Sequence, residues 1–131
     1  MALEPDVKEL LDRPNFAVLT TMLPNGMPST HVMWVDGDER HVLINTETGR
    51  LKYENVKNDP RVCVTVIDAG NPYHYAEIRG RVVDTATGEE ARSHIDELSR
   101  KYKGVDYPPE AIRTERVILR IEPERQRVWG N

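Results

Sequence analysis

Two cations stand close together in a short polar segment of the chain. The segment, TETGRLKYENVKNDP at positions 46–60, separates the apolar runs 42–44 and 61–67. We therefore predict a short helix that bridges two strands and carries Arg50 and Lys52 in its first turn. Cations at a helix N-terminus oppose the helix dipole, so this placement needs a reason. Free backbone N–H groups, an arginine fork and a lysine charge together form a site for an anion such as phosphate.

The residues just before these cations fit the same interpretation. Thr46 or Thr48 is predicted to cap the helix with its hydroxyl group, and Gly49 would let a ligand approach the backbone closely. The alternative is a solvated helix in which Arg50 pairs with Glu54 at i,i+4 spacing. The residue types alone leave both interpretations open.

Length and charge exclude several classes of protein. A chain of 131 residues predicts a single domain, and its net charge of -4 provides no basic surface for nucleic acid. No apolar run approaches the ~20 residues of a membrane-spanning helix. The first residues, MALEPDVKELLDR, carry acids rather than a basic region followed by an apolar one, so we expect a cytoplasmic protein.

The remaining reactive residue types show no pattern typical of catalysis. Cys63 lies in a valine-rich run, which favours a buried, inert thiol over a nucleophile. No cysteine or carboxylate stands at metal-ligand spacing around the four histidines, so no metal site is expected; these are His31, His41, His74 and His94. The chain also has neither a glycine-rich phosphate loop nor a nucleophile elbow. A bound cofactor is therefore the simplest source of chemistry.

Strand and turn signals predict a mainly β fold. We expect helices over 4–11 and 87–102 and six strands over 16–22, 29–35, 41–45, 61–67, 73–85 and 117–129. Turns at Asn25-Gly26 and at 36–38 predict that the first three strands form a meander. Gly80, between two arginines, predicts a β-bulge in the fifth strand. The expected architecture is a small antiparallel β-barrel with peripheral helices.

Three stretches, taken in order, resemble a known family. They are FAVLTTMLPNGMPSTHVMWV, HVLINTETGRLKYENVKNDPRVCVTVID and YHYAEIRGRV, and they resemble the flavin- and deazaflavin-binding split β-barrel family related to pyridoxamine 5'-phosphate oxidase. The resemblance implies an FMN-binding-protein-like split barrel over residues 1–131. It also implies that the cofactor phosphate binds Arg50 and Lys52, with hydroxyl groups from Thr46 and Thr48. The ring would lie at a dimer interface along the second and third strands, against Met33, Trp34, Val35 and Asn45.

Departures from the family pattern distinguish between its branches. Two cations that help to hold FMN in the oxidases are replaced by His31 and Asp36, and a glutamine that contacts FMN is replaced by Tyr75. The C-terminal substrate-binding segment of those oxidases is absent after Trp129. The short chain and the paired tyrosines Tyr73 and Tyr75 resemble instead the branch that uses the deazaflavin coenzyme F420.

The leading interpretation is a homodimeric reductase in which reduced F420 delivers hydride to a small, planar, unsaturated substrate. The first alternative keeps the fold with FMN as cofactor, and the second is a non-catalytic carrier of a flavin or a tetrapyrrole. No acid or base is assigned, and His31 and Tyr75 are the weaker candidates for a proton donor. Simple packing remains the alternative role for Tyr73 and Tyr75 in the strand, and for Trp34 in a dimer contact.

Overall fold

One curled antiparallel sheet forms the body of the molecule. The computed structural model describes residues 1–130. The elements in chain order are α1 (Pro5–Asp12), β1 (Phe16–Met22), β2 (Pro28–Met33), β3 (Asp36–Gly37), β4 (Val42–Glu47), α2 (Leu51–Asn58), β5 (Arg61–Ile67), β6 (Tyr75–Ala86), α3 (Gly88–Lys103), a 3-10 turn (Pro109–Ala111) and β7 (Arg116–Trp129). The expected mainly β architecture with peripheral helices is confirmed. None of the helices within residues 1–130 has the length and apolar character needed to cross a membrane.

The strand order corrects one expectation about the opening of the chain. The sheet runs β2-β1-β5-β6-β7-β4-β3. The hairpin between β1 and β2 is confirmed, with Gly26 in its turn at a φ of 87°. The predicted meander is wrong beyond that hairpin, because β4 pairs with β7 at the far end of the chain rather than with β2. The segment expected to be a simple turn, Asp36–Gly37, is itself a two-residue strand on β4, which makes seven strands instead of six.

Alternating burial along the strands places the core on one face of the sheet. In β5, Val62, Val64 and Val66 are buried, while the residues between them lie on the opposite, outer face. In α1, residues Val7 and Leu10 pack into the same core. Helix α3 packs mainly against β4 and β7, and its Tyr102 also reaches Phe16 on the outer face of β1, with ring centroids 5.7 Å apart.

A bulge bends the two longest strands. The register between β6 and β7 shifts between Arg79 and Gly80, as the sequence predicts. A Cβ atom on Gly80 would lie 2.1 Å from the carbonyl oxygen of Glu122, so the close approach of the two backbones requires glycine.

Helix α3 covers one end of the sheet. Its apolar face buries Ala91, Ile95 and Leu98, and the predicted helix is confirmed. The helix ends at Gly104, whose left-handed φ of 79° lets its N–H donate to the carbonyl of Arg100. The connection from Gly104 to β7 then returns across the end of β4, where the candidate site lies.

A cationic cleft at the end of strand β4

The junction between β4 and α2 carries the two cations that the sequence singles out. Helix α2 begins at Leu51 with Arg50 at its N-cap position, and Lys52 lies in the first turn. No hydroxyl group caps this helix. The predicted capping by Thr46 or Thr48 is therefore wrong, because β4 continues through Thr46 to Glu47. Thr46 lines the cleft that begins here, whereas Thr48 lies outside it.

Lys52 is a largely buried cation without a carboxylate partner. Only 7% of the residue is exposed, and it forms no salt bridge with any carboxylate among residues 1–130. Burial lowers the pKa of Lys52, and the charges of Arg50 and Arg116 lower it further. The pairing of Arg50 with Glu54 does not form, since Glu54 contacts Lys57 and Arg50 lies 3.8 Å from Glu47. The predicted Arg50–Glu54 pair is therefore wrong, although the Arg50 side chain is exposed.

A third cation, which the sequence analysis missed, enters the cleft from β7. Glu47 and Arg116 are register partners in the β4–β7 ladder, so two residues 69 positions apart meet. The Arg116 guanidinium donates from Nε to Oδ1 of Asn45 at 2.8 Å and from one terminal nitrogen to Glu47 at 3.1 Å. It also lies over the ring of Tyr107, 5.2 Å from the ring centroid. Arg116 is only 8% exposed, and burial lowers its pKa.

Glu47 is the one carboxylate in this cluster, and most of its hydrogen-bonding capacity is already used. It is 1% exposed, and its Oε1 atom accepts from the backbone N–H groups of Arg113 at 3.0 Å and Thr114 at 2.7 Å. Burial alone would raise the pKa of Glu47, but the hydrogen bonds from Thr114 and Arg113 and the charge of Arg116 lower it overall. Three cations against one carboxylate leave a net charge of +2 at the end of the cleft.

His31 is influenced by the same charges from the neighbouring strand β2. Burial lowers the pKa of His31, and the charges of Lys52 and Arg50 lower it further. Its Nδ1 atom is buried and has no hydrogen-bond partner within residues 1–130. An unsatisfied buried nitrogen beside a group of cations indicates a place where a polar ligand would complete the hydrogen bonding.

The rest of the cleft is mainly apolar and aromatic, with Ser99 and Lys103 as further polar lining residues. Its volume is about 650 Å³, and Met33 and Trp34 both line it. Trp34 stacks on Tyr102 with ring centroids 5.3 Å apart and meets Tyr107 edge-on at 6.3 Å. The remaining apolar wall is formed by Phe16, Val32, Ile95, Leu98, Val105, Pro108 and Ala111. The cleft therefore offers a cationic end and a flat aromatic wall.

Six of the ten residues expected to bind a cofactor lie together in this cleft, and four do not. Those that line it are Met33, Trp34, Asn45, Thr46, Arg50 and Lys52. The other four are Val35, which is fully buried in the core, Thr48, Tyr73 and Tyr75. Tyr73 is 81% exposed in the turn before β6, and Tyr75 stacks on Trp129 with ring centroids 4.9 Å apart. In a single chain the two tyrosines lie away from the cationic end.

The Asn45 side chain is buried, and other residues of the chain already occupy its amide group. Its amide nitrogen donates to the carbonyl of Ala91 at 3.0 Å and contacts Nδ1 of His94 at 3.1 Å, while its oxygen accepts from Arg116. His94 in turn contacts Asp36 through Nε2 at 3.3 Å. No local sequence signal indicates the contact between Asp36 and His94, since the packing of α3 near β3 and β4 brings them together.

Cys63 lies on β5, apart from this cleft. The thiol of Cys63 is half buried and 3.7 Å from Glu77, and burial followed by the charge of Glu77 raises its pKa to about 11. A thiol in this state is a poor nucleophile. Within the described chain, residues 1–130, no group of three or more His, Cys, Asp or Glu side chains is placed to hold a metal ion.

The fold and the cleft together define a split β-barrel protein with a cationic cleft at the end of β4. The sequence profile of the family described as pyridoxamine 5'-phosphate oxidase matches residues 3–130, and the chain belongs to this family. No curated protein sequence matches the chain significantly.

Solved structures extend the comparison. An F420 reductase is 33% identical, with a TM-score of 0.83 and coverage of 95% of this chain and 98% of that one. A conserved hypothetical protein from Mycobacterium tuberculosis is 22% identical, with a TM-score of 0.75 and coverage of 98% and 84%. General Stress Protein 26 from Bacillus anthracis is 15% identical, with a TM-score of 0.68 and coverage of 95% and 91%. The last two show the shared fold alone. Family and similarity together support an oxidoreductase related to flavin or F420 enzymes.

Proposed function

We propose that the protein is an F420-dependent reductase that binds the cofactor phosphate at the cationic end of the cleft. The observation that carries the proposal is Lys52, a largely buried cation that no carboxylate neutralises among residues 1–130. Burying an uncompensated charge is costly, so its retention favours a site that is completed by an anion. The 33% identity with an F420 reductase over nearly the whole chain supports F420 as that ligand.

The residues present fit a phosphate-bearing cofactor with a planar ring. Arg50 and Lys52 would hold the phosphate, and Thr46 lines the same cleft. Met33 and Trp34 provide a flat apolar wall for a ring system. The deazaflavin, when bound, supplies a hydride. The protein's part is to hold the ring and the acceptor in contact and to exclude water, which can lower a barrier by several kcal/mol without an acid or base.

We further propose that the working form is a two-fold homodimer. Phe16 and Val32 line the cleft and also belong to the outer sheet face, where Val32 is 70% exposed. The register places Phe16 beside Ile67, Ile67 beside Tyr75, and Tyr75 beside Trp129, so an apolar row crosses four strands of this face. A second copy of the chain would cover that row. Only in such a dimer would Tyr75 of one copy reach the cleft of the other.

His31 and Tyr75 are the proposed proton donors for the reduced product, and neither is required by the proposal. The lowered pKa of His31 favours a neutral imidazole at pH 7, which can still donate one hydrogen bond. Because protonation from solvent would suffice, we expect residual turnover in His31→Ala. The expected acceptors are planar unsaturated molecules such as quinones, enones or tetrapyrroles.

The proposal is tested by titrating F420 and FMN separately into the purified protein and following bound cofactor by fluorescence. Charge-assisted hydrogen bonds are worth about 1.5 to 3 kcal/mol, so Arg50→Ala or Lys52→Ala should weaken cofactor binding about ten- to a hundredfold. Lys57→Ala is the matched control, since Lys57 lies exposed on the same helix beside Glu54. Unchanged affinity in both cleft variants would refute the assignment of the phosphate site.

The second candidate function is an FMN-dependent oxidase, which the family match favours. The two functions differ in their products, because reduced FMN reacts readily with oxygen and a reduced deazaflavin reacts poorly. We expect reduced F420 to be consumed by planar acceptors and no hydrogen peroxide to form from pyridoxamine phosphate. Rapid peroxide formation with added FMN would favour the oxidase, and tight binding without turnover of any acceptor would favour a carrier.

A further inference from the structure

We propose that Arg116 is a third ligand-binding cation and that Asn45 and His94 position it. The inference rests on the proposed function and deepens it, because it concerns the same cofactor anion. It assigns roles to two residues outside the cation pair of α2, one on β7 and one on α3. It also changes the role of Asn45 from contact with the ring to orientation of Arg116.

The first step concerns the hydrogen bonds that Arg116 leaves unmade. A guanidinium group carries five N–H donors, and two of them are used, one on Asn45 and one on Glu47. The second terminal nitrogen makes no hydrogen bond to any of residues 1–130, although it is not fully sealed from the cleft. A largely buried arginine that lines a cleft with three donors still available is suited to an anion.

The second step concerns the orientation of Asn45. Its two N–H groups point at the carbonyl of Ala91 and at Nδ1 of His94, so its oxygen must face Nε of Arg116. Reversing the amide would place its donors against the Arg116 donor and its oxygen against the Ala91 carbonyl. Only one orientation satisfies all three partners, and this orientation directs the guanidinium plane of Arg116.

The third step concerns His94, which lies on α3 and is almost completely buried. Because Nδ1 accepts from Asn45, the proton of the neutral ring is on Nε2, and it donates to Asp36. Asp36 is held in turn by the backbone N–H of Gly37 at 2.9 Å. The chain of contacts runs from Asp36 through His94 and Asn45 to Arg116 and connects helix α3 to the cation of the cleft.

The competing explanation is that Arg116 and Glu47 form an ion pair with only a structural role. Arg116 would then serve only to neutralise Glu47, and His94 would only fill space beneath α3. The unused donors of Arg116 and the net charge of +2 around it favour ligand binding instead. An ion pair with only a structural role would be expected to have no unused donors and no excess charge. The two explanations predict different responses to substitution.

The experiment measures binding of F420 and of inorganic phosphate to variants of the full chain. Arg116→Met should weaken F420 binding about tenfold or more. Arg113→Met is the matched control, because Arg113 is exposed nearby and its loss changes the net charge equally. His94→Leu should weaken binding several-fold, and His94→Gln should restore most of the loss. In the Arg116→Met background, His94→Leu should have no further effect, since a positioning residue acts only through the residue that it positions.

A nitrogen NMR resonance gives a readout that does not depend on turnover. The Nε–H signal of Arg116, assigned by its loss in Arg116→Lys, should shift when inorganic phosphate is added. Absence of that shift, or equal affinity in Arg116→Met and Arg113→Met, would overturn the inference even if Lys52→Ala still weakens binding. An equal loss on His94→Leu in both backgrounds would overturn the positioning role. If the wild type binds neither F420 nor FMN, the proposed function fails, and the phosphate titration alone decides the role of Arg116.

Discussion

Replacing Glu47 with glutamine should destabilise the ligand-free protein and increase its affinity for an anion such as phosphate. The substitution keeps an oxygen that can accept from the N–H groups of Arg113 and Thr114. It also removes the negative charge beside Arg116, which lies 3.1 Å away and is largely buried. Breaking a buried ion pair on one side costs about 3 to 5 kcal/mol, and the retained hydrogen bonds put the expected loss near the lower end.

The pH dependence of this loss follows from the lowered pKa of Glu47. Burial opposes ionisation, but the hydrogen bonds and Arg116 outweigh it, so the folded-state pKa lies below that of the unfolded chain. The stabilisation by Glu47 is therefore complete above the unfolded value of about 4.3 and is lost as the pH falls through the folded value. The difference in the free energy of unfolding between wild type and Glu47→Gln should therefore become smaller as the pH falls below about 4.3.

Thermal and urea unfolding at pH 7, with and without inorganic phosphate, check this prediction. For a domain of this size, about 3 kcal/mol corresponds to a fall in Tm of roughly 10 °C. Phosphate should raise the Tm of Glu47→Gln more than that of wild type, because the cluster then carries three uncompensated cations. Glu54→Gln is the matched control, since Glu54 is exposed on α2. A loss below about 1 kcal/mol, or no larger than in the control, would refute the reasoning.

Three further predictions concern the sheet and its surroundings. Gly80→Ala should lower the free energy of unfolding in urea by more than about 2 kcal/mol, because its Cβ would lie 2.1 Å from the carbonyl oxygen of Glu122. A smaller loss would mean that the two backbones at the β6–β7 bulge can move apart. Val32→Glu should convert the dimer to a monomer in light scattering while Val83→Glu does not, and a monomeric wild type at micromolar concentration would contradict the dimer. The lowered pKa of His31 means that the unfolded chain binds the proton more readily below about pH 6.5, so wild-type stability should fall there more than that of His31→Asn; parallel curves would contradict this.

Local sequence patterns were sufficient for the three helices, for six of the seven strands within residues 1–130 and for two of the three cations. The hairpin of β1 and β2 and helix α3 follow from a turn pair and from a periodic apolar face, which are local signals. Arg50 and Lys52 were visible for the same reason, since they are two residues apart at one helix start.

The missing half of the site depends on contacts between distant parts of the chain. Arg116 meets Glu47 only because β7 pairs with β4, and no periodicity specifies which strands become neighbours. The same limitation explains the incorrect meander, where a plausible turn at 36–38 suggested a hairpin between β2 and β4. Tyr73 and Tyr75 illustrate a different limit, because alternation assigns a side chain to a face but does not reveal whether a second chain covers that face.

The connection between α3 and β7 gives the protein one wall that can diverge independently of the rest. Val105, Tyr107 and Pro108 reach the cleft from this segment, which belongs to no strand. It is tied down through Tyr107, whose N–H donates to Asp96 and whose carbonyl accepts from Arg92, and through Asp106, which pairs with Arg100. We expect substitutions at Val105 and Pro108 to reshape this wall of the cleft while the sheet and the cations stay in place. Under the proposed function, a library confined to these two positions should change the choice of substrate without renewed selection for folding.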